Sequence, residues 1–281
     1  MTAQSPPTTR SHLALGLVAI AAGLAVVALL GPLITGAVDY RVSTTVRHQT
    51  LGLDAVSLCV VAPLALAAAA LVRRGHAAGP ALALPIGLYT AYMLLQYVLG
   101  PDYLTRPGND ERLFPLLVAL FAAGWLVALA AWRALDPSAI PRSAHRERLA
   151  GQGILPPLAF LAFVRYVPAL MDALSGRPRD AGYLAGPHFF WAIALLDLGV
   201  FLPLTVVTCR GLSRGRDWAP KALLAVAGWF GLVGPAVAAM AAAMQVAGDP
   251  SASTGATVTM TLLGAAFLAF ALWVFQPLAR S

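Results

Sequence analysis

Residues 113–134 read LFPLLVALFAAGWLVALAAWRA, an apolar run with no charge before Arg133. As a helix rising 1.5 Å per residue, it is long enough to cross a hydrocarbon core of roughly 30 Å. Runs of the same kind recur along the chain, and we place eight spans at 13–37, 52–72, 80–100, 113–134, 154–175, 187–209, 219–246 and 254–276. Composition agrees: of 281 residues 59% are hydrophobic and 11% charged, with a mean hydropathy of +0.76, far more apolar than a soluble domain needs. Lipid-spanning strands are about 10 residues long and alternate in polarity, whereas these runs are continuous and rich in Leu and Ala. The expected fold is therefore all-α, an integral membrane helical bundle of about eight transmembrane helices in a single domain over residues 1–281.

Loop charge gives an expected orientation. Arg10, Arg73, Arg74, Arg133, Arg142, Arg146, Arg148, Arg210, Arg214, Arg216, Lys221 and Arg280 fall on one side; Arg41, Arg47, Arg106, Arg112, Arg177 and Arg179 fall on the other. Cytoplasmic loops are the richer in Lys and Arg, so both termini are expected in the cytoplasm of a bacterial plasma (inner) membrane. Arg10 and His12 ahead of an apolar run imitate a secretory signal, but the run exceeds the 7–15 or so residues of a signal core, which favours an uncleaved first helix. The net charge of +7 and the isoelectric point near 10.0 come from basic residues spread over short loops. That spread suits contact with anionic lipid headgroups and argues against a nucleic-acid partner.

Several functions are disfavoured by what is missing. The longest connection, the expected cytoplasmic linker 135–153, is too short to fold as a domain, and no phosphate loop, His-Glu-x-x-His pair, Cys-x-x-Cys or Gly-x-Ser-x-Gly turn occurs. Lys221, the sole lysine, sits at a helix start, which argues against a retinal Schiff base. The histidines, at 12, 48, 76, 145 and 188, fall at helix ends or in loops and do not form the intramembrane pairs that haem ligation needs. Neither cofactor nor metal is expected. Cys59 and Cys209 lie at different depths and read as small apolar residues rather than a disulfide.

The chain suggests two parallel halves, 13–134 and 154–276, in a 4+4 repeat. Leu53-Asp54 precedes Pro63-Leu64 as Leu196-Asp197 precedes Pro203-Leu204; Pro85 and Pro235 fall in the third and seventh spans, Pro32 and Pro168 in the first and fifth. Shared composition is the alternative explanation, since proline is common in membrane helices. Prolines inside spans imply kinks, and kinks leave gaps. Ala227, Gly231, Gly234, Ala238 and Ala242 give the seventh span a seam for close packing.

The sharpest features are charges inside spans, each costing about 2.5–3.5 kcal/mol at the bilayer centre on insertion scales. Arg165 and Asp197 fall at matching depths, roughly 15 Å below the outer boundary, on consecutive antiparallel spans, where they can pair. Asp172, seven residues beyond Arg165 on the same face, is the alternative partner. Such a pair is either a structural lock or a substrate or proton site, with Asp197 taking a proton or cation and Arg165 an anionic group. Thr205 and Thr208 extend a polar stripe inward from Asp197. Tyr89, Tyr92 and Gln96 put polar tips on one face of the third span, suiting either a cavity or an interhelical hydrogen-bond seam. Asp54 reads as close enough to the outer end of its span to be solvated by headgroup water.

On the stretch from Gln49 to Asp54 leading to Pro63-Leu64 and Arg73-Arg74-Gly75, the tyrosine-rich third span, and Asp197-Leu198-Gly199 leading to Pro203-Leu204, the chain resembles a loosely defined group of functionally uncharacterised bacterial multi-pass membrane proteins. The resemblance implies this architecture and brings no activity with it. The functional expectation is a small-solute or ion-coupled transporter-like protein whose site comprises Arg165, Asp197, Asp172, Tyr89, Tyr92 and Gln96. The alternative is a non-catalytic membrane subunit in which Arg165 and Asp197 only hold the bundle together. Catalytic residues are not expected, because no nucleophile and base recur at a workable spacing.

Overall fold

The computed structural model describes residues 7–279, which are helices and connections with no strand among them. Arg280, counted in the charge asymmetry above, lies outside the described residues. Eight helices are long and apolar enough to cross a membrane: α1 (Thr9–Leu30), α2 (Thr44–Arg73), α3 (Ala78–Leu99), α4 (Asp110–Ala134), α5 (Ala144–Leu174), α6 (Pro187–Ser213), α7 (Ala219–Val246) and α8 (Thr254–Leu278). Their outward faces carry Leu15, Leu66, Leu126, Phe160, Leu195 and Leu262 exposed, apolar outside as well as within. Such a surface has hydrocarbon as its matching solvent, and the chain has the make-up of a polytopic membrane protein.

Three helix edges depart furthest from the sequence expectation. α1 stops at Leu30 rather than running to 37, because Gly31-Pro32 ends it and the Thr35 hydroxyl donates to the Leu29 carbonyl at 2.7 Å. Pro32 is thus a turn residue and kinks no span. α2 begins eight residues early, at Thr44, where the Ser43 hydroxyl caps it by accepting from the Val46 N–H at 3.2 Å. α5 begins at Ala144, inside the stretch read as linker, with Ser143 capping in the same way at 3.4 Å.

Proline shapes three of the helices in one manner. The turns Ser57–Val61, Leu149–Ile154 and Asp197–Phe201 are π-helical, and each ends just before a proline: Pro63, Pro156 and Pro203. A proline ring collides with the carbonyl four residues earlier. Here the residue ahead of each proline donates one step further back, Ala62 to Ser57, Leu155 to Ala150 and Leu202 to Asp197, so the turn widens and the helix continues.

Polar contacts gather the connections at the two ends of the bundle. At one end the Asn109 side chain bridges Ala37 and Asp39, and Arg41 meets Asp110 and Glu111 at 3.3 and 2.9 Å. At the other, Arg142 links Glu147 to Asp217, while Arg146 lies over the Trp273 ring at 4.4 Å and bonds its carbonyl.

α3 and α7 are the most enclosed of the eight helices. Glycines let them approach their neighbours at backbone distance, Gly87 against Gly124 of α4 and Gly234 against Gly264 of α8. Pro85 of α3 fills the notch at Gly228 of α7. Where α2 crosses α7, a Cβ on Gly52 would stand 2.2 Å from the Ala239 carbonyl oxygen. Gly52→Ala should therefore part these helices and lower stability by about 1–3 kcal/mol, whereas Gly199→Ala, whose Cβ would meet only Leu195 Cδ1 at 3.5 Å, should leave it nearly unchanged. Thermal denaturation of the two variants in one detergent checks this.

Candidate functional site

Asp197 opens the wide turn of α6 and is buried. Its Oδ1 accepts the Tyr92 hydroxyl at 2.7 Å; its Oδ2 accepts the Tyr166 hydroxyl at 2.6 Å and lies 3.5 Å from Arg165 Nη2. The same Nη2 donates to the Tyr166 oxygen at 2.8 Å, and the guanidinium lies over the Tyr166 ring at 4.7 Å. Three helices, α3, α5 and α6, thus converge on one carboxylate. Arg165 owes its position to Pro168, which lacks the N–H that would bond the Val164 carbonyl; α5 opens at the next residue, Arg165 itself. Tyr92 packs edge-on against Phe201 and Trp229, which stack on each other.

Beside this cluster lies a cavity of about 380 Å³. Arg165, Asp197, Tyr92, Tyr166 and Gln96 line its deep part; Gln49, Asp180 and Ala256 line it near the connections at the bundle end. Asp197 is ten residues into its helix, about 15 Å down at 1.5 Å per residue. The walls between are apolar and soft. They include Met93, Met240, Met244 and Met260, four of the six methionines in the chain. Among the described residues only Nη2 of the Arg165 donors has a partner, which leaves Nε–H and the Nη1 pair to the space around a side chain that is 39% exposed.

Comparison with family models, curated proteins and solved structures finds no match to this chain. The reading of the site therefore rests on its geometry.

Of the residues singled out from the sequence, Arg165, Asp197, Tyr92 and Gln96 meet at the cavity. The Gln96 amide makes only a long contact, 3.7 Å, to the Met93 sulfur. Asp172 is not brought to Arg165: its carboxylate makes no ion pair among the described residues, and its backbone carbonyl accepts the Ser175 hydroxyl. Tyr89 faces away from the cavity and shares a 3.0 Å hydrogen bond with Ser57. Thr205 and Thr208 bond the carbonyls four residues back on their own helix. Tyr166 was not singled out, although its adjacency to an intramembrane arginine was the available signal.

The expectation for Asp54 is overturned. It is buried, 1% exposed, and bonded by the Tyr97 hydroxyl, because α2 starts at Thr44 and carries it ten residues into the helix rather than to the headgroups. Tyr40, on the connection between α1 and α2, packs edge-on against Tyr97. Burial, with the carboxylates of Asp54 and Asp110 adding to it, pushes the Tyr40 phenol above its usual range.

At the cavity's outer end, Asp249 ties the connection after α7 to the first turns of α2. Its Oδ2 lies 2.8 Å from His48 Nδ1, and its Oδ1 accepts the Thr45 hydroxyl at 3.1 Å and the Ser251 N–H at 2.8 Å. Burial alone would raise this carboxyl; the Ser251 amide, His48 and Thr45 outweigh it and hold it below the ordinary carboxylate range. A depressed carboxyl stabilises the fold above its unfolded value, about 3.9, and that contribution fades as pH falls through the lowered native value. Acidification should therefore cost the wild type more melting temperature than it costs Asp249→Asn, which starts lower at neutral pH.

The Asp197 cluster makes a second prediction. Asp197→Ala strands two phenols and a guanidinium, and should destabilise more than Tyr92→Phe or Tyr166→Phe, each worth about 1 kcal/mol. In the Asp197→Ala background, Tyr92→Phe should cost almost nothing, a coupling of about 1 kcal/mol that a double-mutant cycle reads directly.

Proposed function

We propose that this chain is a multi-pass protein of the bacterial plasma membrane, with both termini cytoplasmic, that moves a small solute, and that transport is ion-coupled. The observation that carries this reading is the cavity of about 380 Å³ running from the mid-depth Arg165 cluster to the outer end of the bundle. Its size is that of a small-molecule site, mostly apolar with a few convergent polar groups. Asp197 is committed to Tyr92, Tyr166 and Arg165, so its part is to hold the guanidinium in place. The free N–H groups of Arg165 then receive an anionic group of the solute. The wide turn of α6 and the one-residue opening of α5 at Arg165 adjoin this region, and such irregularities accompany functional sites in membrane helices.

A second reading, a membrane subunit without its own activity, draws on a different fact. Both Asp197 oxygens are satisfied within the protein, and the cluster staples α3, α5 and α6 whether or not a solute enters.

Thiol accessibility separates the two. In a chain with Cys59 and Cys209 replaced by Ala, single cysteines at Val237, Met240 and Met244 sample the cavity wall; Val246, 90% exposed, marks its mouth, and Val226, fully buried, is the blank. A membrane-impermeant maleimide added to intact cells should label the mouth and all three cavity positions. Labelling at Val246 alone would overturn the transport reading and leave the staple. Labelling of Val246 only in opened cells would overturn the orientation.

A further inference from the structure

Asp54 and Asp197 occupy corresponding places. Each lies ten residues into its helix, beside or just ahead of a wide turn, and each accepts a hydroxyl from α3, Asp54 from Tyr97 and Asp197 from Tyr92. They differ in charge balance. Asp197 has Arg165, whereas Asp54 has no Arg, Lys or His in ion-pair range among the described residues. The groups packed around Asp54 are Gly31 at the end of α1, Tyr40 on the following connection, Ser57 on α2, and Tyr89 and Tyr97 on α3; at the α2–α7 crossing two residues away, α7 contributes Ala239 and Met240. On the neighbouring connections and first turns, His48 is engaged with Asp249, and Asp110 with Arg41.

Only one oxygen of Asp54 is satisfied. Among the described residues Oδ2 has no hydrogen-bond partner, nor has the Tyr40 hydroxyl, although both residues are more than nine-tenths buried. Both atoms lie within 3.3 Å of the point where a Cβ on Gly31 would stand, so they share one small space that only glycine leaves open. A bare carboxylate with one free oxygen and no counter-charge is the least tolerated form of such a side chain in this setting. One proton on Oδ2 removes the charge and supplies the missing donor.

Access is also present. A chamber of about 20 Å³, room for about one water, is lined by Tyr40, Tyr97 and Gln96; Asp54 does not line it, and the Tyr40 and Tyr97 phenols stand between the two. Gln96, Phe189 and Met240 line both this chamber and the large cavity.

We infer that Asp54, with Tyr97 and Tyr40, is a proton-binding site served from the large cavity; on the transport reading above, it holds the coupling proton. In uptake, a hydronium ion in the chamber gives one proton to a phenol oxygen that lines it and becomes water, that phenol passes its own proton on, and the Asp54 carboxylate becomes a carboxyl; release reverses the step.

Infrared difference spectroscopy of the full chain in lipid nanodiscs tests this without any solute. A protonated-carboxyl stretching band should grow on acidification from alkaline pH to just above the ordinary carboxylate value of about 3.9, shift in heavy water, vanish in Asp54→Asn and persist in Asp197→Asn. Tyr97→Phe, which removes only the donor to Oδ1, should move the band and its titration midpoint, which a merely structural tyrosine would not do. Circular dichroism confirms that each variant is folded. A band that is absent or unresponsive across that range, or one that survives in Asp54→Asn, would overturn the proton site. The thiol assay reports the cavity separately: labelled cavity cysteines with an ionised Asp54 sink this inference alone, and a titrating Asp54 behind unlabelled cysteines sinks the transport reading alone.

Discussion

Tyr92 and Tyr97 leave the same helix and give their hydroxyl protons to carboxylates on two different neighbours, Asp197 of α6 and Asp54 of α2. In water such bonds would trade against solvent and decide little. Inside hydrocarbon the alternative to each is an unpaired polar group, so the two phenols fix where α2 and α6 stand relative to α3. The enclosure of α3, its glycine contact with α4 and the seating of Pro85 against α7 surround these bonds and keep the phenols from turning away.

The prolines act within that constraint. A proline in mid-helix removes a donor that lipid cannot replace. The chain answers with wide turns ahead of Pro63, Pro156 and Pro203, and with a one-residue opening ahead of Pro168. Two of these turns follow or contain the buried acids, and the opening presents the arginine. Backbone irregularity and polar side chains therefore coincide, where a regular helix would have kept both out of the bilayer's interior.

Much of this was legible in the amino-acid order. Eight apolar runs gave the helices, and charges placed at matching depth on consecutive runs brought Arg165 and Asp197 together. The helix starts were harder. Ser43 and Ser143 are ordinary N-caps, but each stands several residues before its apolar run, so hydropathy placed both starts late and left Asp54 near the surface. Asp172 misled because spacing on a helix face says nothing of the break at Arg165 between the two residues. Tyr40 and Tyr97 meet Asp54 only through tertiary packing, and no local pattern announces it.

The methionine lining has a consequence for discrimination. Unbranched thioether side chains repack around guests of different outline at small energetic cost, so a wall made of Met93, Met240, Met244 and Met260 imposes little preference for shape. On the transport reading proposed above, choice among guests then falls to the guanidinium of Arg165, and a chamber built this way would sort by ionic headgroup while remaining promiscuous toward the body attached to it.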